Sequence, residues 1–153
     1  HHQPRRQRQM CIRDRVVAAR SAKFIFSFAK VGLIPDAGGT WSLVKALGLP
    51  RAKALALLGE TVSAETAQDI GLIWQCVDDD KFENSVAEIT QRLAKNSALG
   101  IALTKRALHA VENNSLSEQL ELESQLQTIA GRSSDYREAV KAFVEKREPV
   151  FSR

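Results

Sequence analysis

Hydrophobic residues fall into two regimes along this chain. Before about Val77 they come in short β-branched or aromatic runs interrupted by glycine and proline; after Phe82 they recur at helical spacing. Residues 16–19 suit a short buried strand, and the apolar run that follows predicts strand or extended chain through about Ile34. Pro35 predicts a turn, with a helix from about Ala37 through Ala46. Gly48 and Pro50 stop that helix, and residues 51–58 form another. Ser63 is placed to cap a third helix, which Gly71 ends, and residues 72–77 read as a strand closed by Asp78, Asp79 and Asp80.

The second regime predicts four helices. Phe82, Val86, Ile89 and Leu93 share one face, as do Ile101, Leu108 and Val111 on a helix that breaks at Asn113 and Asn114. Leu122, Leu126 and Ile129 line a third, terminated by Gly131. Asp135 is the expected cap of the last, with Glu138 at the capping-box position and Tyr136, Val140 and Phe143 turned inward; Pro149 follows its end. The chain is therefore mainly α with two or three short strands, too few for a sheet of their own. The unpaired apolar strands point to partner elements upstream.

Composition narrows the function. The chain has 153 residues, 44% hydrophobic and 26% charged, and no apolar run near the ~20 residues of a membrane span. Two cysteines, Cys11 and Cys76, make no disulfide framework and suit a reducing, cytoplasmic setting. The net charge of +4 sits in residues 1–15, where five arginines face Asp14 alone. The remainder is neutral, which argues against a nucleic-acid-binding domain. Residues 1–15 lack apolar periodicity and read as a disordered basic arm or as a non-native head resembling translated adaptor sequence. The second reading is adopted, so the native part begins near Val16.

One segment departs from plain scaffolding: VGLIPDAGGTW, residues 31–41. It sets Asp36 between Pro35 and a glycine pair, Gly38 and Gly39, that opens a helix. As a cap, Asp36 would accept hydrogen bonds from the Gly38 or Gly39 amide. The five apolar neighbours Leu33, Ile34, Pro35, Ala37 and Trp41 suggest more, a carboxylate in an apolar hollow. His109 reads as a surface or boundary residue, Cys76 as a small buried hydrophobe, and residues 78–80 as a solvated turn. Lys141, Lys146 and Arg147 could hold phosphates or simply decorate a helix end. The sequence contains no P-loop, dinucleotide fingerprint, metal triad or nucleophile elbow, so no metal and no cofactor are expected.

The blocks VGLIPDAGGTW, RAKALALLGETVSAETAQDIGLIWQCVDD and SSDYREAVKAFVEKREPVF, in that order, resemble the enoyl-CoA hydratase/isomerase (crotonase) superfamily over residues 16–153. The resemblance implies an α/β crotonase (ClpP/crotonase-like) fold, of which this chain is the helix-rich C-terminal half. Residues 16–80 would belong to the core, and residues 81–153 to a helical region for trimerisation and CoA covering. It implies an acyl-CoA thioester substrate, coenzyme A being part of the substrate rather than a cofactor. It also implies a homotrimer or hexamer of the full-length protein, with no nucleic-acid or membrane partner.

The same resemblance separates chemistries. Family hydratases carry Pro-Glu in the stretch aligned with residues 24–31, where this chain has Ser27-Phe28; a phenyl ring cannot act as a base. Family isomerases place an acid directly after the proline of the turn, matched here by Asp36. Phe28, Leu33, Ile34, Pro35 and Trp41 then fall in the substrate pocket, and Phe143 and Lys146 match the family's adenine and phosphate contacts to a neighbouring subunit's CoA. The two backbone N–H donors of the family's oxyanion hole align upstream of Val16, so the chain alone is expected to be inactive. A hydratase, or a non-catalytic helical interaction module in which Asp36 is only a cap, is the alternative.

Overall fold

The computed structural model describes residues 15–151. Of the predicted head, only Arg15 is described, its guanidinium lying 4.6 Å from the centre of the Trp74 ring; residues 1–14 lie outside the described residues. The chain divides after Val86 into two compact units.

The first unit runs β1 (Val17–Ala19), β2 (Lys23–Ile25), a 3-10 turn (Ser27–Val31), α1 (Gly39–Leu58), β3 (Thr61–Ser63), α2 (Ala64–Asp69) and β4 (Gln75–Val77). Among the described residues there are four strands of three residues each, more than the two or three expected. They form two separate pairs: β1 lies parallel to β4 with Ala18 opposite Cys76, and β2 antiparallel to β3 with Phe24 opposite Val62. Extended chain does not continue to Ile34. The Phe26 amide makes the last β3-side bond, to Glu60 O at 3.3 Å, and β3 offers nothing further to pair with. The unmatched backbone then closes on itself as the 3-10 turn.

The core joins Ala18, Phe26, Leu43, Leu47, Ala52, Val62, Ala64, Ala67 and Ile73. Leu43 and Leu47 stand one helical turn apart on the first half of α1. Gly48, at φ 73° and ψ 161°, breaks the helix there, two residues before Pro50, whose missing N–H and bulky ring forbid an unbroken ladder. The second half can thereby turn Ala52 toward the same core. At its end Gly59 takes φ 62°, and a methyl group there would lie 3.0 Å from Lys30 Cε. The stem of Lys30 thus crosses the bare glycine, tying the 3-10 turn to the end of α1. The expected Ser63 cap forms, its Oγ accepting from the Thr66 amide at 3.1 Å.

Residues 72–77 are strand only from Gln75. The amides of Leu72 and Ile73 both donate to Ala67 O, at 2.8 and 3.2 Å, so they are withdrawn from pairing with β1. A polar clasp secures the β1–β4 pair at its edge. Arg20 donates to Asp78 at 2.8 Å and pairs with Glu65, Lys81 meets Asp78 at 2.7 Å, and Ser21 bonds Asp79. Both cations hold the Asp78 carboxyl below the usual carboxylate range. Two of the three consecutive aspartates are therefore structural fasteners. Cys76 is half-buried, its amide donating to Gln68 Oε1 at 2.6 Å.

Four helices follow: α3 (Phe82–Ala94), which crosses the division, α4 (Ala98–Ala110), α5 (Leu116–Gly131) and α6 (Ser134–Val144). Ser115 and Glu118 make a full capping box at the start of α5. Gln119 is buried where α5 meets α4; its amide nitrogen donates to Ala107 O at 3.2 Å and to Glu123 at 3.3 Å, and its oxygen accepts from Asn114 at 3.1 Å. A buried amide is tolerated because it is bonded at both ends.

The last helix corrects two expectations. Its cap is Ser133, whose Oγ accepts from the Tyr136 amide at 3.0 Å, while Asp135 instead accepts from the Ser97 hydroxyl of the α4 cap. Tyr136, Val140 and Phe143 do not face inward; all three are exposed, and the buried residue is Ala142. The helix packs through Asp135, Ala139 and Ala142, at i, i+4 and i+7, because small side chains allow closer approach. Leu108 and Val111 of the α4 region are exposed as well, and so is His109.

Candidate functional site

Asp36 sits in a tightly determined stretch of backbone. The 3-10 turn ends at Gly32, φ 73°, where the Leu33 amide donates to Phe28 O at 2.9 Å. Beyond Pro35 the chain reverses through two consecutive left-handed residues, Ala37 at φ 49° and Gly38 at φ 83°. For alanine that conformation costs about 1 kcal/mol, and strain of this kind concentrates at functional turns. The Gly39 amide then donates to Asp36 O at 2.7 Å, and Ser42 N to Gly38 O at 2.9 Å, opening α1. A methyl on Gly39 would approach Pro35 Cβ to 3.3 Å, so the absence of a side chain lets the proline ring lie against the helix entrance.

The cap expected of Asp36 is absent: Gly38 is the N-cap, and it is the main-chain carbonyl of Asp36, not its carboxylate, that accepts from Gly39. Among the described residues the carboxylate has no hydrogen-bond or ion-pair partner. Nor do the described residues enclose it. Asp36 is exposed, with Leu33 at 63%, Ile34 at 75% and Trp41 at 60% accessibility. The reason is geometric. Leu43 and Leu47 turn one face of α1 to the core, and Trp41 lies two residues, about 200° of helical rotation, from Leu43. It therefore projects outward, 5.4 Å from Lys45 Nζ. Phe28 and Pro35 are half-buried. The structure thus sets Asp36 and its apolar neighbours on one outward-facing segment, where an enclosed hollow was expected.

The second unit holds the other two residues singled out by sequence. Phe143 is 85% exposed near the end of α6. Lys146 takes φ 53°, and the amides behind it close the helix: Lys146 N to Phe143 O at 3.2 Å and Arg147 N to Ala142 O at 3.0 Å. This is the Schellman arrangement, with lysine where glycine is preferred. Arg147, by contrast, is fully engaged. Its guanidinium meets Glu138 at 2.6 and 3.1 Å and Glu145 at 2.6 Å. Glu138 also accepts from the Val150 amide at 2.9 Å. Lys141 stands 4.0 Å from Glu145. Of the three cations considered for phosphate, Lys146 alone has no side-chain partner among the described residues.

Spacing predicts a capping-box role for Glu138; in the structure it anchors the tail instead. Its bond with Arg147 and the Val150 amide lower its pKa from 4.5 to about 2. A depressed carboxylate contributes stability that is complete above the unfolded value and lost as the pH falls through the folded one. Protection of the Val150 amide against hydrogen exchange should therefore persist from neutral pH to about 4.5 and decline toward pH 2; loss of protection already at pH 6 would refute the clamp. Only the pairing of Glu138 with Arg147, nine residues on, could have signalled this in the sequence.

A family profile described as Enoyl-CoA hydratase/isomerase matches residues 9–153, beginning inside the segment read as a foreign head. The chain is 50% identical over 139 residues to 1,2-epoxyphenylacetyl-CoA isomerase of Escherichia coli, covering 91% of this chain and 53% of that protein. It is 32% identical over 138 residues to the same organism's 2,3-dehydroadipyl-CoA hydratase, covering 90% and 54%. The crystal structure of an enoyl-CoA hydratase from Polaromonas sp. JS666 superposes with a TM-score of 0.85 at 32% identity, over 91% of this chain and 54% of that one. The chain spans about half the length of the curated relatives it matches. With the profile covering nearly all of the sequence and the backbone following a solved relative, the chain belongs to the enoyl-CoA hydratase/isomerase family and carries the helix-rich C-terminal part of the crotonase fold.

Proposed function

We propose that this chain carries the proton-transfer carboxylate of a CoA-thioester isomerase, and that the carboxylate is Asp36. The observation behind this reading is the Asp36 side chain itself: unpartnered among the described residues, on a turn fixed by Pro35, Ala37 and Gly38, beside exposed Leu33, Ile34 and Trp41. A structural aspartate at a helix entrance would be capping it, and this one is not. Moving a double bond requires one base that removes a proton from one carbon and returns it to another, ending in the state in which it began. Asp36, Leu33, Ile34 and Trp41 are all exposed among the described residues, so the water exclusion that keeps the abstracted proton from exchanging away has to come from chain that covers this segment in the whole protein.

The enolate formed in between needs donors at the thioester oxygen. By family resemblance these align upstream of Val16, so activity is expected only when this half is joined to the other. The similarity to the Escherichia coli 1,2-epoxyphenylacetyl-CoA isomerase supports 1,2-epoxyphenylacetyl-CoA as substrate; the product on this reading is the ring-expanded oxepin-CoA, and a straight-chain enoyl-CoA shift would use the same carboxylate. Ser27-Phe28, where hydratases hold a glutamate, disfavours water addition. No described helix is long and apolar enough to cross a membrane. The outward apolar face of α6, with Tyr136, Val140 and Val144, supports assembly of the whole protein as a homotrimer or hexamer, and two cysteines that make no disulfide framework support a cytoplasmic setting.

The test is a chimera joining residues 16–153 to the N-terminal portion of the Escherichia coli isomerase that lies outside the match. Assayed on 1,2-epoxyphenylacetyl-CoA, a straight-chain 3-enoyl-CoA and crotonyl-CoA, it should isomerise one or both of the first two and hydrate the third slowly or not at all. Faster hydration than isomerisation would transfer the assignment to a hydratase. A folded chimera without any of these activities would favour a non-catalytic module.

A further inference from the structure

The corner after α6 is built in an unfavourable way for an ordinary helix end. The left-handed position at its centre is occupied by Lys146, not glycine, and the residues around it are fastened while the Lys146 side chain has no partner among the described residues. Arg147 is held by Glu138 and Glu145, the Val150 amide returns to the same Glu138 carboxylate, and Lys141 faces Glu145. One carboxylate on the second turn of α6 therefore pins both sides of the tail beyond the corner.

That fastening has a consequence for the lysine. A lysine at a helix end ordinarily folds back onto the last carbonyls, which carry the negative end of the helix dipole. Here the Ala142 and Phe143 carbonyls are already taken by the Arg147 and Lys146 amides. The turn is locked with the ammonium unpartnered among the described residues and the Phe143 ring exposed three residues before it. An exposed aromatic ring and a cation three residues apart on one fixed corner offer a phosphorylated purine a π-surface and a charge for its phosphate.

Resting on the reading of this chain as part of a CoA-thioester enzyme, we infer that Glu138 is a positioning residue for the nucleotide of CoA. By clamping Arg147 and the Val150 amide it holds the Lys146 corner so that Lys146 and Phe143 meet the ligand together. Glu138 itself touches no ligand.

The experiment uses the full 153-residue chain and adenosine 3′,5′-bisphosphate as probe, with affinity read by calorimetry and folding checked by thermal melting. Glu138→Gln keeps the side chain's size but removes the charge that grips Arg147; affinity is expected to fall about fivefold, within the range of coupled neighbours. Lys146→Ala should weaken binding at least as much. In the Lys146→Ala background, Glu138→Gln should then have no further effect, because its action passes through the lysine. Unchanged affinity in Glu138→Gln overturns the inference. So does an additional loss in the double variant, which would mark Glu138 as merely structural. Absence of saturable binding by the unsubstituted chain also overturns it, while the isomerase reading is decided separately by the turnover of the chimera.

Discussion

Asp36→Asn in the chimeric enzyme is expected to lower turnover by at least about 10²-fold, the scale of a lost general base. Asparagine has the same shape and keeps hydrogen-bonding capacity, but its amide does not accept a proton at neutral pH. The folded state should hardly notice. Asp36 is exposed, its side chain caps nothing, and the bond that opens α1 uses its main-chain carbonyl, which the substitution leaves in place. A stability change within about 0.5 kcal/mol is therefore expected. The two measurements together discriminate: a loss of turnover with an unchanged melting temperature marks chemistry, whereas parallel losses would mark folding. Wild-type turnover in this variant would remove Asp36 from the mechanism altogether.

Leu43→Ala should have the opposite signature. Leu43 is 2% exposed and belongs to the first unit's core, one turn before Leu47. Truncation removes buried methyl groups and leaves a cavity, at a cost of about 2–5 kcal/mol. Val44, the next residue, turns outward, and Val44→Ala should cost less than about 1 kcal/mol. A comparison of urea midpoints for the two variants tests the orientation of α1. Equal shifts would mean that the helix is rotated from the face described, and with it the outward projection of Trp41.

Local chemistry was legible where one residue decides one structure. Ser63 caps α2, Gly71 follows its end at φ 82°, and Gly48 with Pro50 divides α1, each because the alternative leaves an unpaired backbone group or a steric clash; Gly131, by contrast, is the last helical residue of α5 and Arg132 is the cap. Choices among equivalents were not legible. SSDYRE offers three adjacent capping residues, Ser133, Ser134 and Asp135, and the decision falls to Ser97 on a distant helix, which engages Asp135 and leaves Ser133 to cap. The face of α6 was misassigned for a related reason. Large apolar residues marked one stripe, yet close packing selected the alanines on another, and sequence periodicity does not say which stripe finds a partner. Asp36 was found through its setting, proline before and glycines after. Its missing enclosure was not, because apolar neighbours in sequence promise a pocket only when something folds over them. Lys146 gave no local sign of its left-handed backbone at all.

The β1–β4 pairing has a bearing on how the chain comes into being. Arg20 and Asp78, at the rim of that ladder, are 58 residues apart, and every other element of the first unit is threaded between the paired strands. Ordering so long a loop is entropically expensive, and contacts of that separation form late. On a ribosome, β1 emerges well before its mate exists. The edge of β1 that β4 will take stays unpaired through the synthesis of α1 and α2, and during that interval it is open to mispairing with another copy.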